Sequence, residues 1–161
     1  MKHSILFVCL GNICRSPAAE GITKKMLASR GLGDLVNVDS AGIGNWHAGQ
    51  LPDSRMRRHG AAHGYNFDSR ARQFVADDFD RFSHIVAMDA DNVTAINAKA
   101  RTDSDRKKVL RMADFLRTHP GRKSIPDPYY GSDRDFELVI ELLEDACEGL
   151  VNHICKTLKQ E

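Results

Sequence analysis

The chain has 161 residues, 42% of them hydrophobic and 28% charged, with a formal net charge of +1. This length and composition suit one globular domain with its own core, expected over residues 1–161. A balance so close to neutral gives no global field for nucleic acid or an anionic membrane, and no apolar run is long enough to cross a bilayer.

In chain order, the first element is the apolar run at residues 5–9. It is short, lacks a small-residue cleavage site and runs on into Gly11 and Asn12, so it reads as a buried strand and not as a leader. A helix is predicted over residues 17–30, with Ser16 as N-cap, Pro17 in the first turn, and Ile22, Met26 and Leu27 near one face. A second strand follows at 36–40, a helix at 53–63, a strand at 84–88, a helix at 90–100 and a strand at 109–112. The most regular segment is 133–158. There Phe136, Val139, Ile140, Leu143, Cys147, Leu150, Val151, Ile154 and Leu158 keep a helical period. Strands alternating with helices predict an α/β layer fold with a parallel sheet. Sites in such folds lie beyond the carboxyl ends of strands, which points to Cys9, Ser40 and Asp89.

The segment Cys9-Leu10-Gly11-Asn12-Ile13-Cys14-Arg15-Ser16-Pro17 joins the first strand to the first helix. A loop wrapped at a helix start turns its N–H groups toward an anion. Gly11 and Asn12 are residue types that tolerate the positive φ of a tight wrap. Arg15 lies six residues after Cys9, and its planar fork can grip two phosphate oxygens at once. The same positive groups favour the thiolate of Cys9, which is the nucleophilic form, and Ser16 can donate a hydrogen bond to that sulfur. A thiolate nucleophile also needs an acid for the leaving group. Asp127, held between Pro126 and Pro128 and followed by Tyr129 and Tyr130, is the candidate. The two rings can wall a pocket for a flat side chain.

Together these motifs resemble the low-molecular-weight protein tyrosine phosphatase family. Val8 to Pro17 is similar to the family's phosphate loop, and Val38-Asp39-Ser40-Ala41-Gly42, Ala71-Arg72-Gln73, Met88-Asp89 and Asp127-Pro128-Tyr129-Tyr130-Gly131 follow in the family's order. The resemblance implies four parallel strands flanked by helices, no cofactor and no metal. It also implies a two-step reaction on tyrosine-phosphorylated proteins, with Cys9 as nucleophile and Asp127 as acid, then base. On the matching positions, Asn12 and Ser40 hold the loop in shape, while Ile13, Trp46, His47, Tyr129 and Tyr130 form the substrate rim. Leu10, Gly11 and Cys14 complete the loop. Where many members carry a histidine that supports it, this chain has Ser69, so one support is expected to be missing.

Four cysteines without a secretory leader suggest a reducing cytoplasm and reactive, not structural, sulfur. Cys14 fits a small packing residue or a redox guard for Cys9. Cys147 and Cys155 fall on the last helix, where core packing is expected, and His59 and His63, four apart, suggest a solvated helix face more than half of a metal site. Two other chemistries use the same fold. A thiol-dependent arsenate reductase needs relay cysteines, and none lies between Cys14 and Cys147. A phosphoarginine phosphatase tends to carry threonine where this chain has Ile13.

Overall fold

The computed structural model describes residues 3–159. Its strands are β1 (His3–Cys9), β2 (Val36–Gly42), β3 (His84–Ala87) and β4 (Val109–Arg111). Its helices are α1 (Arg15–Ser29), α2 (Ser54–Ala62), α3 (Asp78–Arg81), α4 (Ala90–Ala98), α5 (Asp103–Lys107) and α6 (Asp133–Lys159). The four strands form one sheet in the order β2-β1-β3-β4, and every pairing is parallel. The sequence expectation of an α/β fold with four parallel strands therefore holds. The missed elements, α3, α5 and a 3-10 turn at Met112–Phe115, are too short for periodicity to show.

The pleat sorts the side chains between two layers. Ile5, Phe7, Val36, Val38 and Val86 pack with residues of α1, α2 and α6 on one face. Leu6, Val8, Ile85 and Ala87 turn to the other face, against Phe74, Phe79, Phe82 and Ile96. The long helix α6 buries ten residues, among them every apolar position of the predicted stripe except Leu158, which is half-buried. Burial of each large apolar side chain contributes about 1.5–3 kcal/mol. None of the described helices is long and apolar enough to cross a membrane.

Two local corrections follow from contacts that the sequence does not display. Helix α1 begins at Arg15, with Cys14 as its N-cap, instead of at Pro17 behind Ser16. The Ser16 hydroxyl is engaged by Cys9 and Asn12 and is not free to cap. His63 is exposed, as a solvated face would have it, but His59 is half-buried, and both are paired. His59 stacks on Phe136 and bonds Glu137 at 2.6 Å and Asp133 at 3.1 Å, while His63 bonds Glu137 at 2.6 Å. They clamp α2 onto the start of α6.

With this strand order the chain leaves β1 for β2 on one side, then crosses back to β3 on the other. The carboxyl end of β1 is thus a topological switch point, the place where open α/β sheets form their crevices. Cys9 is the last residue of β1.

Candidate active site

The loop after Cys9 is held by its outward-facing carbonyls. Those of Cys9 and Leu10 accept from the N–H groups of Ile43 and Gly44 at 2.9 and 3.0 Å, and that of Ile13 accepts from Asp53 N–H at 2.8 Å. In a trans peptide the next N–H points the opposite way, so those of Leu10, Gly11 and Cys14 turn toward the inside of the loop. Asn12 takes a positive φ of 59°, as the tight wrap requires. The loop passes so close to β2 that a Cβ on Gly42 would lie 2.9 Å from the Gly11 carbonyl carbon. Only glycine fits there.

Asn12 orders a hydrogen-bond chain behind the loop. Arg72 N–H donates to Asn12 Oδ1 at 3.0 Å, which fixes the amide's orientation. The Asn12 Nδ2 group then donates to Ser16 Oγ at 2.8 Å and to Ser40 Oγ at 2.9 Å. Ser40 in turn donates to the buried Glu20 carboxylate at 2.6 Å, and Glu20 also pairs with Lys24 at 2.5 Å. Ser16 receives its hydrogen bond from Asn12, and its own proton has two acceptors in reach, Cys9 Sγ at 3.0 Å and the Ala41 carbonyl at 3.4 Å. The chain therefore ends in a hydroxyl placed beside the sulfur. Ser69 takes no part in it. The loop-supporting chain ends instead on Glu20 and on the Arg72 N–H.

Arg15 is 3% exposed. Its NH1 donates to Asp89 Oδ2 at 2.7 Å and to the Ile125 carbonyl at 3.0 Å, while NH2 faces Asp127 Oδ2 at 3.7 Å. Burial works against its charge, but Cys9, Asp89 and Asp127 outweigh it and raise its pKa. Asp89 has a double role, because its Oδ1 also caps α4 through Asn92 N–H at 2.8 Å. The Asp127 loop is tied to the sheet by Ile125 N–H and the Met88 carbonyl at 2.8 Å. Asp127 Oδ1 accepts from Tyr129 N–H at 3.1 Å.

These parts enclose a cavity of about 250 Å³, lined by Cys9, Leu10, Gly11, Ile13, Cys14, Arg15, Trp46, His47, Asp127, Tyr129 and Tyr130. Cys9 is 3% exposed, whereas Trp46 is 65% and Tyr130 96% exposed, so the sulfur is deep and the rings stand at the mouth. Of the residues singled out in the sequence, Leu10, Gly11, Ile13, Cys14, Trp46, His47, Tyr129 and Tyr130 line this cavity with Cys9, Arg15 and Asp127, while Asn12, Ser16 and Ser40 lie behind the loop. Cys14 is buried beside Cys9, and burial first, then the negative groups Asp53 and Cys9, push its thiol pKa well up. Cys147 lies elsewhere, in the core, where it accepts from the Thr23 hydroxyl at 3.2 Å and burial pushes its pKa up to about 12.

Sequence reasoning missed Glu20, Asp53, Arg55 and Arg72. Glu20 had one available signal: it stands four residues after Ser16, amid the small and apolar run Pro17, Ala18, Ala19, Gly21 and Ile22. The other three act through contacts between elements distant in sequence.

Comparison with known proteins identifies the family. The family profile described as low molecular weight phosphotyrosine protein phosphatase matches residues 4–161. The low molecular weight protein-tyrosine-phosphatase YfkJ of Bacillus subtilis is 40% identical over 154 residues, covering 95% of this chain and 96% of the relative. The low molecular weight phosphotyrosine protein phosphatase of Sus scrofa is 36% identical over 156 residues, covering 96% and 97%. A crystal structure of a protein tyrosine phosphatase from Entamoeba histolytica superposes with a TM-score of 0.93 at 43% identity, covering 97% of this chain and 99% of that one. Loop, acid segment, fold and overall similarity agree: the chain belongs to the low molecular weight phosphotyrosine protein phosphatase family.

Proposed function

We propose that the chain hydrolyses phosphotyrosine in proteins through a phosphocysteine intermediate. The observation that carries this reading is the convergence of Cys9, Arg15 and Asp127 on one deep cavity with an aromatic mouth. Cys9 attacks phosphorus while the Arg15 fork and the loop N–H groups hold the phosphoryl oxygens. Asp127 protonates the phenol oxygen as it leaves. Water then attacks the phosphocysteine with Asp127 as base, and Ser16 stabilises the departing thiolate. Arg15 and the N–H groups supply the positive charge, so no metal ion is called for.

The cavity favours tyrosine over shorter side chains, because phosphorus must reach a sulfur that lies well below the rings. The apolar Ile13 suits a phenyl ring better than a guanidinium, which disfavours phosphoarginine. Arsenate reduction lacks its relay, since Cys147 lies in the core away from the loop. Cys14 is a free thiol buried beside the nucleophile, a placement that suits a redox guard. Once peroxide has converted Cys9 to the sulfenic acid, the Cys14 sulfur displaces water and closes a disulfide that a thiol can reduce.

The assignment of Asp127 is the most exposed part of the mechanism. A tyrosine phenolate, with a pKa of about 10, leaves poorly without a proton. Asp127→Asn should therefore slow release of ordinary phenols by about 10²–10⁴-fold and spare activated aryl phosphates. The measurement is single-turnover phenol release across a series of leaving-group pKa values. A steep dependence in the variant against a shallow one in the parent is expected, and parallel slopes would remove Asp127 from the role.

A further inference from the structure

Asp127 sits in a turn, and the reaction as proposed needs its carboxyl at a set distance from the Cys9 loop. Arg55, in the first turn of α2, touches the anchors of both. Its backbone N–H and Nε bond Asp53 Oδ1 at 2.8 and 3.1 Å, and its NH2 bonds Asp53 Oδ2 at 2.9 Å. The N–H of the same Asp53 holds the Ile13 carbonyl of the phosphate loop at 2.8 Å. On its other side, the NH2 of Arg55 donates to the Tyr129 carbonyl at 2.9 Å. The guanidinium also lies over the Tyr129 ring at 5.5 Å and over the Phe136 ring at 4.6 Å.

The turn that Arg55 grips is tied within itself. Tyr129 N–H is bonded to Asp127 Oδ1 at 3.1 Å, and Gly131 N–H is bonded to the Pro128 carbonyl at 2.8 Å. Two prolines leave the backbone on either side of Asp127 little freedom. Fixing the carbonyl and ring of Tyr129 therefore fixes the Asp127 carboxyl two residues earlier.

We infer that Arg55 is a positioning residue for the general acid, a brace that sets the Asp127 turn against the phosphate loop. This rests on the proposed role of Asp127. A planar, multiply donating group over two rings is what the position calls for, so lysine is a poor substitute. The Arg55 side chain has no hydrogen bond to the anion loop itself and reaches it only through Asp53, whose N–H to the Ile13 carbonyl is a backbone tie. The loop's own ties through Ile43, Gly44 and the Asn12 chain lie elsewhere.

The test compares the parent, Arg55→Ala, Arg55→Lys and Asp127→Asn in single-turnover phenol release across leaving-group pKa values, with vanadate affinity measured alongside. Misplacing a catalytic group by about 1 Å costs on the order of 10²-fold. Arg55→Ala should slow release of ordinary phenols by roughly 10–100-fold and steepen the leaving-group dependence toward that of Asp127→Asn. Release of an activated phenol and vanadate affinity should stay within about threefold of the parent, since the anion site keeps its ties. Should Arg55→Ala not fold, judged by its circular dichroism, Arg55→Lys takes its place, with a smaller shift in the same direction expected. A steep slope for Asp127→Asn but the parent's slope for the Arg55 variants overturns the brace alone. Slopes parallel to the parent in Asp127→Asn overturn the acid assignment and the brace with it. A fall in vanadate affinity matching the fall in rate means that Arg55 supports the anion loop instead, and also overturns the inference.

Discussion

Single residues at this site work through the direction of their hydrogen bonds. Asn12 has one acceptor and two donor hydrogens, and the Arg72 N–H decides which end faces which way. Glu20 can only accept when ionised, so Ser40 must donate to it, and the chain then runs through Asn12 to the Ser16 hydroxyl beside the Cys9 sulfur. Cys9, Arg15 and Asp127 were legible in the sequence because their chemistry and spacing are local to short motifs. Glu20 was not, because a carboxylate on a helix reads as solvent-facing until the helix is placed. Cys14 is the residue whose role calls for a direct measurement. Peroxide should inactivate the parent reversibly, with a thiol reductant restoring most of the activity. Cys14→Ser should recover far less, since the oxidised Cys9 then has no partner and proceeds to irreversible acids. Equal recovery of the two proteins would show that Cys14 only packs.

Elements reach the site by contacts that displace their sequence-read ends. Strand β2 runs to Gly42, two residues beyond its predicted end, because Gly42 still pairs with Cys9 of β1 and bridges to Gln73. Helix α1 starts early because the phosphate loop is itself the helix entry. Helix α2 is held against α1 by a ring: Phe67 fills the space left bare by Gly21 and Gly60. A Cβ on Gly60 would lie 2.3 Å from Phe67 Cε2, and one on Gly21 would lie 2.5 Å from Phe67 Cδ1. Gly60→Ala therefore sets two effects against each other. Helix propensity favours alanine by about 1 kcal/mol. Forcing apart a buried ring costs about 1–3 kcal/mol. Phe67 is 3% exposed and pinched from both sides, so the clash should win, and Gly60→Ala should lower the urea midpoint. A raised midpoint would mean that the ring swings aside freely.

Across the whole molecule, the two ends of the sheet carry different chemistry. The carboxyl ends of the strands hold the cavity, and the opposite ends hold the stacked pair His3 and His84. His84, at the start of β3, stacks on His3 with ring centroids 5.7 Å apart. Burial, then His3 and His153, pushes its pKa down to about 4. The unfolded chain binds that proton near pH 6.5, so the stability gained from a neutral His84 is intact above about 6.5 and lost as pH falls toward about 4. His59 has the opposite sign. The Glu137 hydrogen bond, opposed by burial and helped by Asp133, raises its pKa. Its contribution is complete below the unfolded value and lost as pH rises through the folded one. Thermal midpoints should therefore fall on both sides of a maximum. His84→Gln should flatten the acid limb between about pH 6.5 and 4, and His59→Gln the limb above about 6.5. An unchanged acid limb in His84→Gln would remove the buried histidine from the account.

The sequence by itself determined the layer class, the long amphipathic helix and the two short segments, around Cys9 and around Asp127, that line the cavity. Each of these is written in local periodicity or in a motif shorter than one element. Only the tertiary structure decided that Asp89 holds Arg15, that Glu20 and Arg72 order the proton chain behind Cys9, and that Arg55 bridges the phosphate loop to the Asp127 turn. It also decided that His59 and His63 clamp two helices. Those contacts join residues from 20 to 78 positions apart, and no local pattern encodes which distant carbonyl or carboxylate a side chain will meet. That is settled by how the helices dock on the two faces of the sheet.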